Sequence, residues 1–299
     1  MNTERDTIQS TESRNGPIEW ISGQTFWELV ERRAAASPDR VMLLDERGGE
    51  LTFGALRECA ERAAAGFHAL GIGAGTRVCW QLPTWIESYV LVAGLARLGA
   101  VQTPLLPLYR EREVSFIAKQ TAARWLIVPP TWRKFAYANM AQAVAAKLAD
   151  CEVLVCDREL PDGEVGNLPA APSAAPSSEA SPVRWIFFTS GTTADPKGAL
   201  HTDATIQAAA RASYRSTEVS SFDRTAVVFP FTHIGGILGM VGSLLAASSG
   251  AIVESFDPVK SVDFLSRAGV TDIGDGGLTE MDQGQRDWIA DQVRGIQGP

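Results

Sequence analysis

The stretch that most constrains this chain is residues 183–198, V-R-W-I-F-F-T-S-G-T-T-A-D-P-K-G. Residues 183–188 are short, apolar and rich in β-branched and aromatic side chains, the pattern of a strand buried on both faces of a parallel sheet. The run then breaks into Thr189, Ser190, Gly191, Thr192 and Thr193; Asp195-Pro196 continues the turn, and Lys197-Gly198 follow at once. Gly191 and Gly198 let backbone N–H groups come close, and successive N–H groups form an anion-binding nest. The hydroxyls add neutral donors and Lys197 adds one mobile positive charge. Together these groups suit an oligophosphate. A Ser/Thr-rich surface turn with an incidental lysine is the competing reading; the strand before the turn and the Pro-Lys-Gly after it weigh against that. No G-x-x-x-x-G-K-[ST] is present, so the loop is not a Walker A sequence.

Upstream, strand-like and helical segments alternate: strand 41–44, helix 55–70, strand 78–82, helix 85–98, extended 101–104, helix 111–120, strand 125–128, helix 137–148 and strand 153–155. Such alternation implies βαβ units and an α/β fold with doubly wound, mostly parallel sheets and flanking helices. Residues 161–182 hold seven Pro and Gly among many Ala and Ser, the composition of a linker. A helix at about 202–213, a strand at 225–229, a helix at 236–247, a strand at 251–254 and a helix at 258–268 follow. The expected organisation is therefore a disordered tail over 1–16, a first α/β subdomain over 17–160, the linker 161–182 and an incomplete second subdomain over 183–274. Residues 275–299 form a divergent tail.

His233 follows the strand 225–229 within F-P-F-T-H-I-G-G. A lone histidine beside apolar residues is usually a satisfied core group. The carboxyl end of a strand in an open α/β sheet, though, is where ligands bind. The net charge of −8, with basic residues scattered, argues against a nucleic-acid partner. Cys59, Cys79, Cys151 and Cys156 form no C-x-x-C, and His68, His201 and His233 have no metal-ligand spacing. Buried free thiols in the cytoplasm are the expectation. Residues 231–253 carry no formal charge over 23 positions, but five glycines and three serines favour a buried helix and strand over a membrane span. The Gly235-x-x-x-Gly239 spacing is expected to mark a close helix–sheet contact.

The phosphate-type loop resembles the signature of the adenylate-forming superfamily, aromatic-[ST]-S-G-[ST]-T-G-x-P-K-G, shared by acyl-CoA synthetases, firefly luciferase and non-ribosomal peptide adenylation domains. Phe188, Thr189, Ser190, Gly191, Thr192, Thr193, Pro196, Lys197 and Gly198 fit it, while Ala194 stands where glycine is usual. Pro230, His233 and Gly236 resemble the family's P-x-x-H-x-x-G segment, with Thr232 in place of the commoner aromatic residue. Leu51-Thr52-Phe53, Gly71-Ile72-Gly73 and Gly99-Ala100-Val101 resemble its first subdomain, and L-P-L-Y-R-E-R-E looks closest to the carbocyclic and fatty acid branch.

The resemblance implies an ATP-dependent carboxylic acid–CoA ligase, forming an acyl-adenylate and then a thioester with coenzyme A. It implies phosphate contacts from Thr189, Ser190, Gly191, Thr192, Thr193, Lys197 and Gly198, a magnesium contact at Thr193, and His233 at the carboxylate or adenylate. The family's aromatic-G-x-T-E motif, ribose-binding aspartate and lid lysine have no counterpart here, so the chain is expected to be the front, truncated part of a longer domain, weak or inactive alone. A non-catalytic nucleotide-binding module, or one half of a split synthetase with a C-terminal partner chain, is the alternative. If further chain packs on 225–274, the helix 236–247 and the strand 251–254 should expose an apolar patch.

Overall fold

The computed structural model describes residues 19–173, 181–189 and 196–272. Helix α1 (Phe26–Ala36) starts where the Thr25 hydroxyl accepts from the Glu28 N–H, and it buries Phe26, Trp27, Leu29 and Val30. Strands β1 (Val41–Asp45) and β2 (Glu50–Thr52) form an antiparallel pair leading into α2 (Phe53–Ala69). Then come β3 (Arg77–Trp80), α3 (Ile86–Leu98), β4 (Val101–Pro104), α4 (Glu111–Gln120), β5 (Trp125–Val128), α5 (Tyr137–Ala145) and β6 (Glu152–Val155). The later part holds β7 (Trp185–Thr189), β8 (Lys197–His201), α6 (Asp203–Ser216), β9 (Arg224–Val227), α7 (Ile234–Ala246), β10 (Ser249–Ile252) and α8 (Lys260–Arg267).

Two sheets result, six strands in the order β6-β5-β3-β4-β7-β8 and four in the order β2-β1-β10-β9. Pairings are parallel except at one edge of each sheet, where β8 runs against β7 and β2 against β1. The expected α/β class with mostly parallel sheets and flanking helices is what the chain adopts. Its sheets do not follow the expected order along the chain, however. Strands β7 and β8 lie beyond residues 161–182 yet extend the sheet begun by β3, and β9 and β10 return to β1. Nor do residues 161–173 hang free. The Gly163 N–H donates to the Arg62 carbonyl, Arg97 donates to the Pro169 carbonyl, and Leu160, Leu168 and Ala171 pack on the core. Pro161 lies so close to α2 that a Cβ at Gly66 would overlap its backbone.

Helix α3 is buried almost all round, as its apolar sequence demands. It reaches α2 through small residues: a Cβ at Gly94 would stand 3.2 Å from the Ala60 carbonyl oxygen. Helix α7 is pinned at its carboxyl end by Arg33 of α1, which is fully buried and donates to the carbonyls of Leu244 (2.7 Å) and Leu245 (2.9 Å). Burial, and then the neighbouring Arg40, lower its pKa to about 10, so the guanidinium stays charged at neutral pH and faces the negative end of the helix.

Two expectations fail. Gly239 makes no close contact, since a Cβ there would meet nothing within 4 Å; a close contact of the α7 body lies at Gly242 instead, where a Cβ would overlap the Tyr214 ring of α6. The expected apolar patch is also missing from α7 and β10. All four β10 residues are buried, and the large exposed hydrophobic side chains among the described residues lie elsewhere, Leu108, Leu200, Phe222 and Val259 among them.

Asp203, the first residue of α6, ties three elements together. One carboxylate oxygen accepts from the Phe26 N–H (3.0 Å) and the other from the Trp185 indole (3.1 Å). Burial pushes this carboxyl above its usual range, against the pull of those two bonds. The native state then holds the proton more tightly than the unfolded chain, so stability from this group is greatest at low pH and is lost as pH rises through the carboxylate range. Comparing the unfolding free energies of wild type and Asp203→Asn across that range should show the wild type losing ground as pH rises. Asp203→Ala, which leaves both donors unpaired, should cost about 1–3 kcal/mol at neutral pH.

Candidate functional site

The carboxyl ends of the strands carry the chemistry. In the six-stranded sheet β3, β4, β5 and β7 are parallel, so Trp80, Pro104, Val128 and Thr189 end at one edge. The phosphate-type loop leaves that edge: Thr189 pairs with Lys197 across β7 and β8, and residues 190–195 of the expected set, Ser190, Gly191, Thr192 and Thr193 among them, lie outside the described residues. Lys197 opens β8 with an exposed side chain. Gly198 faces the β7 aromatics, and a Cβ there would come within 3.1 Å of both Ile186 and Phe188.

His233 caps α7. Its Nδ1 accepts from the Gly235 N–H (3.2 Å), which leaves Nε2 to carry the hydrogen and act as a donor. Pro230 has no N–H and opens the turn; the His233 N–H donates to the Pro230 carbonyl, and the Gly236 N–H to the His233 carbonyl. Gly236 is obligatory for this turn, since a Cβ would overlap the Phe231 backbone. The buried Thr232 hydroxyl has no hydrogen-bond partner among the described residues.

Phe231 and Thr84 join this turn to the larger sheet. The Phe231 ring stacks on Tyr89 of α3 at 3.8 Å and lies 5.9 Å from Trp80. The Phe231 N–H donates to the Thr84 hydroxyl (3.1 Å), which in turn donates to the Phe229 carbonyl (3.3 Å). His233 thus stands beside the carboxyl edge of β3, two strands from β7. No hydrogen bond links it to Lys197 among the described residues.

Two cavities open here. One of about 150 Å³ lies between α6, β9 and the glycine-rich start of α7, lined by Tyr89, Tyr214, Val227, Phe229, Gly236 and Leu238 among others. Thr225 also lines it, and its hydroxyl has no partner among the described residues. A second cavity, of about 470 Å³, lies where the connections from β3 and β5 part in opposite directions, the switch point of the larger sheet. Arg110 lies 4.1 Å over the Phe135 ring in its wall, and Trp132 donates to Glu254 at 2.7 Å. Arg133 and Lys134 both adopt left-handed backbone in the loop after β5. The sequence reading missed Tyr89, Tyr214, Thr225, Arg110 and Arg133 as site residues. Only the L-P-L-Y-R-E-R-E phrase had drawn attention to Arg110, and only as a likeness.

A family profile described as AMP-binding enzyme matches residues 30–274. The chain belongs to the AMP-binding enzyme family. It is 26% identical over 241 residues to the medium-chain fatty-acid–CoA ligase of Escherichia coli, covering 78% of this chain and 42% of that protein. It is 28% identical over 272 residues to the 2,3-dihydroxybenzoate-AMP ligase of Bacillus subtilis, covering 89% and 49%. Apo MbtA of Mycobacterium smegmatis superposes with a TM-score of 0.71 at 27% identity, covering 84% of this chain and 48% of that one. The chain spans about half the length of the curated relatives it matches. Among AMP-binding enzymes the expectation of an adenylate-forming relative, with the N-terminal portion represented here, is met. No helix among the described residues is long and apolar enough to cross a membrane.

The junction at Thr84 is open to test. Thr84→Val keeps the shape and strands the Phe231 N–H, so it should lower stability by about 1–3 kcal/mol in a denaturant titration. Gly236→Ala should be worse than Thr84→Val, because backbone and not a flexible side chain stands in the way.

Proposed function

We propose that this chain carries the acid and phosphate sites of an ATP-dependent carboxylic acid–CoA ligase. The observation that carries the reading is the apolar cavity lined by Gly235 and Gly236 at the start of α7, the helix that His233 caps through its Nδ1. An apolar tail fits between Tyr89, Phe229 and Leu238, while its carboxylate meets the positive end of α7, His233 and the unpaired Thr232 hydroxyl. The loop residues Thr189, Ser190, Gly191, Thr192, Thr193, Lys197 and Gly198 hold the triphosphate in this reading.

The carboxylate oxygen then attacks the α-phosphorus, forming acyl-adenylate and releasing pyrophosphate. A thiol sulfur of coenzyme A next attacks the acyl carbon, AMP leaves with the bond electrons, and the thiol proton passes to water. Both partners of the first step are anionic, so the site must hold like charges together, which donors fixed in advance achieve better than water does. Among the described residues no group of three or more His, Cys, Asp or Glu is placed for a metal. Thr193 would hold a magnesium ion bound with the triphosphate, and the ion would offset the phosphate charge. The guanidinium and aromatic faces of the 470 Å³ cavity suit the anionic, aromatic end of coenzyme A. The four free thiols, two of them buried with their pKa pushed up to about 12, support a cytoplasmic setting.

Lys197→Ala tests the phosphate reading. A lysine converging on a triphosphate makes charge-assisted bonds worth about 1.5–3 kcal/mol, so ATP or pyrophosphate affinity should fall about ten- to a hundredfold. The melting temperature should barely move, since the side chain is exposed. Equal binding by wild type and variant would defeat the reading. His233→Ala should spare ATP binding and weaken binding of the acid.

A further inference from the structure

The acid cavity has a built end wall. Strand β9 runs from Arg224 to Val227 and on through Phe229 to His233, so Thr225 marks the end remote from the histidine. Tyr214, Thr217, Val219 and Asp272, the last paired with Thr225, line that end. The Tyr214 ring is buried and lies on α7 at Gly242, where even a methyl group would overlap it. Its hydroxyl donates to the Gly239 carbonyl at 2.9 Å and lies 3.4 Å from the Ser243 oxygen. A ring fixed by a glycine seat beneath and a hydrogen bond at its tip cannot swing aside without losing both. Tyr89, held against Phe231 by stacking, makes a second rigid wall.

The cavity, open on one side, holds about 150 Å³. An apolar cavity of about that volume holds one benzene-sized molecule. We propose that Tyr214, seated on Gly242, limits the acid to a single aromatic ring or an unbranched chain of about six carbons, and excludes long-chain fatty acids. This rests on reading the cavity as the acid site. Gly242 is thereby a specificity-determining position, because a Cβ there would overlap the tyrosine ring.

Titration of the full chain with straight-chain alkanoates from four to twelve carbons, and with benzoate, by ligand-observed NMR tests the limit. In a bounded cavity each methylene improves affinity about fourfold only until the space is full. Affinity should therefore peak near six carbons and fall beyond, with benzoate among the best. Tyr214→Ala should move the peak to longer chains. Leu238→Trp, from a half-buried side chain lining the same cavity, should fill it and weaken benzoate at least about tenfold, with circular dichroism confirming the fold. Should Tyr214→Ala not fold, the wild-type series and Leu238→Trp still decide. A wild-type affinity still climbing at twelve carbons, an unmoved peak in folded Tyr214→Ala, or undiminished benzoate binding by Leu238→Trp overturns the size limit while acid binding itself stands. If no acid binds and ATP still does, the acid-site reading falls and the limit with it.

Discussion

Among the described residues the two sheets share no strand pairing, and the packing of Phe231 joins the carboxyl end of β9 to the larger sheet. Its ring, wholly buried, is stacked on Tyr89 and tilted against Trp80, and its backbone N–H is held by Thr84. Stacked aromatic pairs are worth about 0.5–1.5 kcal/mol beyond the area they bury. That is modest beside the burial of whole sheets, but its direction matters more than its size. It brings the carboxyl end of β9 against the carboxyl end of β3, and His233 and Thr84 lie along that line. The aromatic spacer before His233 is thus a joint between layers as well as a core residue.

Helix α7 acts as a strut across this joint. One end is capped by His233 and the other is held by the Arg33 guanidinium on the carbonyls of Leu244 and Leu245. Its glycines have separate tasks. Gly236 admits the turn backbone and Gly242 seats a tyrosine. A helix that is apolar on all sides would usually slide among equivalent packings; here both ends and the middle are pinned by specific polar or steric contacts.

Local patterns were legible where burial and periodicity agree. The apolar run before the phosphate-type loop announced β7, and the largely apolar stretch 85–98 announced α3. Strand β8 was not legible. Lys197–His201 is an exposed edge strand with no apolar alternation, and only its pairing with β7 makes it a strand. Sheet membership was equally hidden, because hydrogen-bond pairing between Leu43 and Gly250 leaves no mark in either local sequence. His233 could be singled out because a motif surrounds it. Tyr214 could not, since its role is created by a glycine on another helix, 28 positions away. Arg110 and Arg133 become neighbours of one cavity only once the loops after β4 and β5 are brought together.

The pairing of β1 with β10 reaches across some two hundred residues, and both sheets draw strands from each side of residues 161–182. On a ribosome, β1 and β2 emerge long before their parallel partner exists, and the β4 edge waits for β7. Each half would spend that interval with an unpaired strand edge open to solvent. Distant pairing of this kind slows folding, because loop closure must come before the contacts that reward it. Synthesis rate and chaperone supply should therefore govern the yield of this chain as strongly as the stability of the finished fold does.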